Sequence, residues 1–152
     1  MQFKTAIFSA LLTTFLSAFT VTANPTPSMA SPILKVTYDE TYDNPSTSLF
    51  GVACSNGDNG LLTKGFTTFG SLPNFPYIGG TQFVKGWNSV DCGTCWRLAY
   101  DGRVIHVLAV DTAGTGFNIA RKALDELSGG RAVELGSVDA WYEVALPSDC
   151  GL

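Results

Sequence analysis

The stretch Cys95-Trp-Arg-Leu-Ala-Tyr100, Asp101-Gly102, Arg103-Val-Ile-His-Val-Leu-Ala-Val110 decides the fold class. Two β-prone runs flank Asp-Gly, a pair that reaches positive φ at both turn positions at little cost, so the stretch predicts a tight β-hairpin. In its second arm Ile105, Val107 and Ala109 alternate with their neighbours. Asp111 keeps their parity and is expected on the same side, at the strand end, partly desolvated at the mouth of a barrel.

Working outward, Asn118 is placed to cap a helix over Ile119–Ser128, with Ile119, Ala120, Ala123, Leu124 and Leu127 on one face and Gly129-Gly130 ending it. Val138–Val144 returns to strand alternation, and Ile33–Tyr38 is a second β-type run. Gly, Pro and aromatic residues crowd Phe66–Asn88, which predicts loops and short strands there. With 16 Gly and 7 Pro in this frame, the chain reads as mainly β, a compact barrel with one or two short helices.

At the N-terminus Lys4 is followed by an apolar run, Ala6–Phe19, and then by Val21-Thr22-Ala23. This is the pattern of a secretory signal peptide over residues 1–23, too short to span a bilayer. Residues 24–32, with three prolines, read as an extended tail, and residues 33–152 as one domain. The expected product is soluble, extracellular or wall-associated, monomeric and not inserted in membrane.

The full chain carries a formal charge of -4, and loss of Lys4 makes it more acidic. Such a chain lacks the clustered basic residues that nucleic acid demands. Neutral polymers remain open as partners.

Cys54, Cys92, Cys95 and Cys150 form an even set in an exported chain, which reads as two disulfides with three connectivities open. Cys92-Gly-Thr-Cys95 opens a strand rather than a helix, against a thioredoxin-type motif. No second close pair is present to complete a zinc site, so neither metal nor cofactor is expected.

Several ordered motifs carry a family resemblance. They are Val36-Thr-Tyr-Asp39, Val52-Ala-Cys-Ser-Asn-Gly57 with Asn59-Gly-Leu61, Phe75-Pro-Tyr-Ile-Gly-Gly80 and Asn88-Ser89 before Cys92-Gly-Thr-Cys-Trp96. Val110-Asp111, Gly116-Phe-Asn-Ile119, Gly136-Ser-Val-Asp-Ala140 and Cys150-Gly-Leu152 continue the series. From Ile33 onward the chain resembles the cerato-platanins, small secreted proteins of filamentous fungi. The resemblance implies a six-stranded double-psi β-barrel like the first domain of expansins, with bridges Cys54–Cys92 and Cys95–Cys150. It also implies binding of chitin fragments (N-acetylglucosamine oligomers), loosening of cellulose without hydrolysis, and perception by a plant receptor as a defence elicitor.

Glycoside hydrolysis needs two carboxylates. Asp111 is the candidate acid, matching in the resemblance the acid of related endoglucanases; its other reading is a loop-fastening role on backbone N–H groups. Asp58, Asp91 and Asp139 are the candidates for its partner. Without a placed partner, binding is expected over cleavage. His106, the single histidine, sits mid-strand and reads as structural. Candidate sugar contacts are Tyr38, Ser55, Asn56, Asp58, Asn59, Asn88, Asp111 and Asn118. Trp87, Trp96 and Trp141 are expected mainly in the core.

Overall fold

The computed structural model describes residues 32–152. The signal peptide assigned to 1–23 and the tail assigned to 24–32, apart from Pro32, lie outside the described residues. Among the described residues, no helix is long and apolar enough to cross a membrane.

The hairpin forms as expected. β3 (Cys95–Tyr100) and β4 (Arg103–Thr112) pair antiparallel from Cys95↔Leu108 to Tyr100↔Arg103. Asp101 and Gly102 turn between them with φ of 48° and 74°, the left-handed pair that a two-residue turn requires. β1 (Ile33–Tyr38), β2 (Ile78–Thr81), β5 (Phe117–Ile119) and β6 (Ser137–Val144) complete a closed barrel in the order β1-β5-β2-β4-β3-β6. β1 with β5 and β2 with β4 run parallel, and the other four contacts are antiparallel. This is the mixed six-stranded barrel that the resemblance implied.

Alternation sets the interior. Val36, Leu98, Ile105, Val107, Ala109, Phe117, Ile119, Val138 and Ala140 are buried, while their outward neighbours Lys35, Asp139 and Val104 are exposed. At one place aromatic rings pack as a group: Phe83 stacks on Trp96 at 4.4 Å between centroids, with Phe117 and Tyr142 around them. Trp96 is thus in the core, as expected, although its Nε1–H has no hydrogen-bond partner among the described residues. β2 is Ile-Gly-Gly-Thr because its neighbours come very close. A Cβ on Gly79 would lie 2.5 Å from the Asn118 carbonyl oxygen, and one on Gly80 would strike the Thr112 carbonyl.

The helix differs from its expected start. α1 spans Arg121–Ser128, followed by α2 (Ala132–Leu135). Asn118 and Ile119 belong to β5, whose pairing with β1 and β2 outweighs the local capping preference. The cap comes instead from far away in sequence. Asp43 accepts hydrogen bonds from the Arg121 and Lys122 N–H groups at 2.8 and 3.0 Å, placing negative charge at the helix N-terminus. Ala123, Leu124 and Leu127 form the buried face, and the αL cap falls at Gly129 as expected.

The disulfides are Cys54–Cys92 and Cys95–Cys150. Each member of the C-x-x-C segment bonds outward, one to the loop after β1 and one to the C-terminal turn at Pro147–Cys150.

Candidate carbohydrate site

Asp111 sits where the barrel's register breaks. β2 pairs with β4 through Gly79↔Ala109 and then Gly80↔Asp111, so Val110 is an extra residue without a partner on β2. Its carbonyl accepts the Cys54 N–H instead, at 3.1 Å. A bulge of this kind reverses the alternation beyond it. Asp111 therefore does not follow Ile105, Val107 and Ala109 into the interior, as its parity predicted. It joins the outward row Thr37–Asn118–Gly80–Asp111 across β1, β5, β2 and β4.

There the carboxylate is fastened three times. Oδ1 accepts from the Ala53 N–H at 2.9 Å and from the Thr112 N–H at 2.8 Å, and Oδ2 accepts from the Tyr42 hydroxyl at 3.3 Å. The loop-fastening role of Asp111 is thus realised. Burial, and then the neighbouring Asp111 carboxylate, push the Tyr42 phenol well above the ordinary tyrosine range, so it stays a protonated donor. Tyr42 and Asp111 line a cleft of about 200 Å³ with Asp39, Thr41, Thr47, Ser48, Gly51, Val52 and Phe69.

The acidic residue sharing this cleft is Asp39, which sequence reasoning did not nominate. Asp139 is ion-paired with Lys35 on the outer β1/β6 face, at 3.6 Å. Asp58 and Asp91 lie on the loops flanking the Cys54–Cys92 bridge and do not line the cleft. The signal for Asp39 was the Val36-Thr-Tyr-Asp39 motif at the end of β1, whose last residue lands beside Tyr42 because the chain turns at once into a 3₁₀ turn, Glu40–Asp43.

Beside the cleft lies a second group. The Asn59 N–H donates to Asn88 Oδ1 at 2.9 Å, and Asn59 Nδ2 donates to the Asn88 carbonyl at 3.0 Å, so two loops are buttoned together by a pair of amides. Asn88 adopts φ 58°, a left-handed conformation that asparagine tolerates better than most residues. Trp87, adjacent to it, is 66% exposed and donates its Nε1–H to Asn56 Oδ1 at 2.6 Å. The indole expected in the core is thus pinned with its ring facing outward.

Ala53 joins the two groups. Its N–H goes to Asp111 and its carbonyl accepts the Asn88 N–H at 3.4 Å, so one residue separates the cleft from the Trp87 shelf. The structure therefore brings together Asn56, Asn59, Asn88 and Asp111 of the expected contacts, with Asp58 exposed on the same loop. Asn118 lies two strands from Asp111 and accepts from the Thr37 hydroxyl at 3.0 Å. Tyr38 is half-buried against the core. Ser55 is only 6% exposed.

Trp141 is half-buried on the outer face of β6, with the Arg97 guanidinium 5.1 Å from its ring centre. His106 lies on the outer side of β4, half-buried, and its carbonyl accepts from Asn74 at 2.9 Å. No group of three or more His, Cys, Asp or Glu side chains fit to hold a metal occurs among the described residues.

A closed mixed barrel with two bridges and a shallow amide-rich, aromatic-edged shelf defines a small double-psi β-barrel module. Residues 34–152 match the family model described as Cerato-platanin, and the chain belongs to that family. It is similar to the Aspergillus fumigatus protein named Allergen Asp f 15, at 49% identity over 99% of this chain and 97% of that one. Among solved structures it is similar to cerato-platanin 3 from M. perniciosa, with a TM-score of 0.77, 45% identity, and coverage of 80% of this chain and all of that one. The solution structure of the fungal elicitor Cerato-Platanin matches with a TM-score of 0.70 and 38% identity, over 76% of this chain and 95% of that one.

Proposed function

We propose that the protein is a secreted, non-catalytic binder of chitin fragments, with the sugar lying across the Trp87 shelf and the Asp111 cleft. The observation that carries this reading is the Ala53 link. It holds a fixed, exposed aromatic face next to amide, hydroxyl and carboxylate groups, the mixture that an N-acetylated pyranose can use. The ring stacks on a sugar face while Asn56, Asn88 and Asp111 offer polar edges. An uncharged polymer also suits an acidic chain with little basic surface.

Asp39, in the same cleft as Asp111, favours a second reading, weak hydrolysis of a β-glycan. Against it, the Asp111 carboxylate oxygens are taken up as acceptors, by the loop N–H of Ala53, by the adjacent Thr112 N–H and by the Tyr42 hydroxyl. Loosening of wall polysaccharide and elicitation of plant defence are parts of the same proposal; what supports elicitation is the likeness to the solution structure of a fungal elicitor.

The test is a calorimetric titration of wild type and Asp111→Asn with N-acetylglucosamine oligomers, with a reducing-end assay on the same samples. Binding without new reducing ends supports the proposal. Absence of binding sinks it, and reducing ends that vanish in Asp111→Asn install the hydrolase in its place.

A further inference from the structure

The chain has two Asn-Gly steps, Asn56-Gly57 and Asn59-Gly60, three residues apart on one loop. Asn-Gly is the dipeptide most open to attack by the following backbone nitrogen on the side-chain amide, because glycine puts no side chain in the way. The fold treats the two steps differently.

Asn59-Gly60 is locked. Gly60 is buried and its N–H donates to the Gly57 carbonyl at 3.0 Å, while the Asn59 amide is held against Asn88. Asn56-Gly57 is open at its attacking nitrogen and its leaving amide. Asn56 is exposed, and among the described residues the Gly57 N–H donates no hydrogen bond. Asn56 Oδ1 accepts from the Trp87 indole at 2.6 Å, which draws electron density from Cγ and leaves Nδ2 free to depart.

We infer that Asn56 is a site of spontaneous, structure-selected deamidation, with water as the only co-reactant. The Gly57 nitrogen loses its proton to base and attacks Asn56 Cγ. The N–Cγ bond forms, the Cγ–Nδ2 bond breaks, and Nδ2 leaves as ammonia, giving a cyclic imide. Water then opens the imide. Attack at Cγ restores the chain with aspartate at 56; attack at the main-chain carbonyl gives isoaspartate, with the chain rerouted through Cγ. Either product adds one negative charge, and isoaspartate moves the acceptor away from Trp87. A protein that acts outside the cell is not renewed by its maker, so this change accumulates at the aromatic shelf with time and alkalinity.

The test uses the intact, disulfide-bonded protein held at mildly alkaline pH and followed by peptide mapping with mass spectrometry. It stands whether or not the protein binds sugar. In the folded chain, acid at 56 is expected to form about tenfold faster than at 59, because the Asn59 step must first open its hydrogen bonds. In the reduced, unfolded chain the two steps should convert at similar rates. An acidic charge variant should accumulate in wild type and in Asn59→Gln, and be lost in Asn56→Gln, whose longer side chain closes a ring far more slowly. Equal rates in the folded protein, faster conversion at Asn59, or an acidic variant that persists in Asn56→Gln would each overturn the inference. Gly57 itself is a poor test position, since at φ 87° a Cβ there would lie 2.6 Å from Asn88 Oδ1.

Discussion

The two disulfides brace regions built on different principles. Cys95–Cys150 ties the first residue of β3 to the C-terminal turn, on the outer side of a barrel held by strand ladders and alternating apolar residues. Cys54–Cys92 ties two loops that carry the cleft and the shelf. Between residues 39 and 94 the only strand is the four-residue β2; the rest is short 3₁₀ turns and loops, held by irregular backbone hydrogen bonds and by single side chains. Asp111 holds Ala53, Asn59 holds Asn88, and Asn74 holds the carbonyls of Tyr77 and His106. In the barrel, many equivalent residues share the stabilisation. In the loops, a single amide or carboxylate backs up irregular backbone contacts that no repeat shares.

The largest effect expected from this difference comes from opening the bridges one at a time. Loops of 38 and 55 residues give nearly equal stabilisation in the chain-entropy model, about 4 kcal/mol each. The consequences should nevertheless diverge. Replacing Cys54 and Cys92 by Ser should abolish oligosaccharide binding while far-UV circular dichroism still reports the barrel. Replacing Cys95 and Cys150 should lower the melting temperature with binding retained at low temperature. Equal loss of both properties in both variants would erase the distinction.

Next in size, Asp111→Ala frees the Ala53 N–H and the Tyr42 hydroxyl, at about 1–3 kcal/mol in chemical denaturation. Hydrogen exchange should quicken across residues 52–59 and stay unchanged in β3 and β6.

A smaller effect appears at alkaline pH. The Tyr42 phenol is raised above its unfolded value, so the folded state keeps a proton that the unfolded state releases. Its contribution is fully present below pH about 10 and is lost as pH rises through the folded value. Ultraviolet titration should find one of the five tyrosines ionising only with unfolding, and Tyr42→Phe should flatten the alkaline decline in stability.

Smallest in stability is Trp87→Ala. Two-thirds of this side chain is already in water, so the melting temperature should hardly move, while affinity for N-acetylglucosamine oligomers falls by about tenfold. A marked loss of stability would place Trp87 in the structural frame rather than at a binding surface.

The same contrast explains what the sequence made legible. The hairpin from Cys95 to Val110, the strand at Val138–Val144 and the apolar face of α1 rest on periodicity and turn chemistry, which neighbouring residues display. Three features do not. The bulge at Val110 falls where Gly80 of β2 lies close against Thr112 of β4, and it turns Asp111 outward against its own alternation. The helix cap comes from Asp43, a distant residue, and it displaces the Asn118 that local preference favoured. Trp87 is exposed because a partner 31 positions away holds its N–H. Each is a long-range, one-to-one contact that leaves no periodic trace. The Gly-rich loops did point to Asn56, Asn59 and Asn88 as polar groups, and strand alternation together with the family resemblance pointed to Asp111.

The most direct measurement is a backbone amide NMR titration of the disulfide-bonded protein with a chitin oligomer. Binding at the shelf and cleft should give shifts confined to residues 52–59, 87–88 and 111–112, with the Trp87 indole N–H among the most perturbed resonances. The outer face of β1 and β6, including Lys35, Asp139 and Trp141, should remain still. Shifts centred on that barrel face, with the Trp87 and Ala53 signals unmoved, would contradict binding at the shelf and cleft.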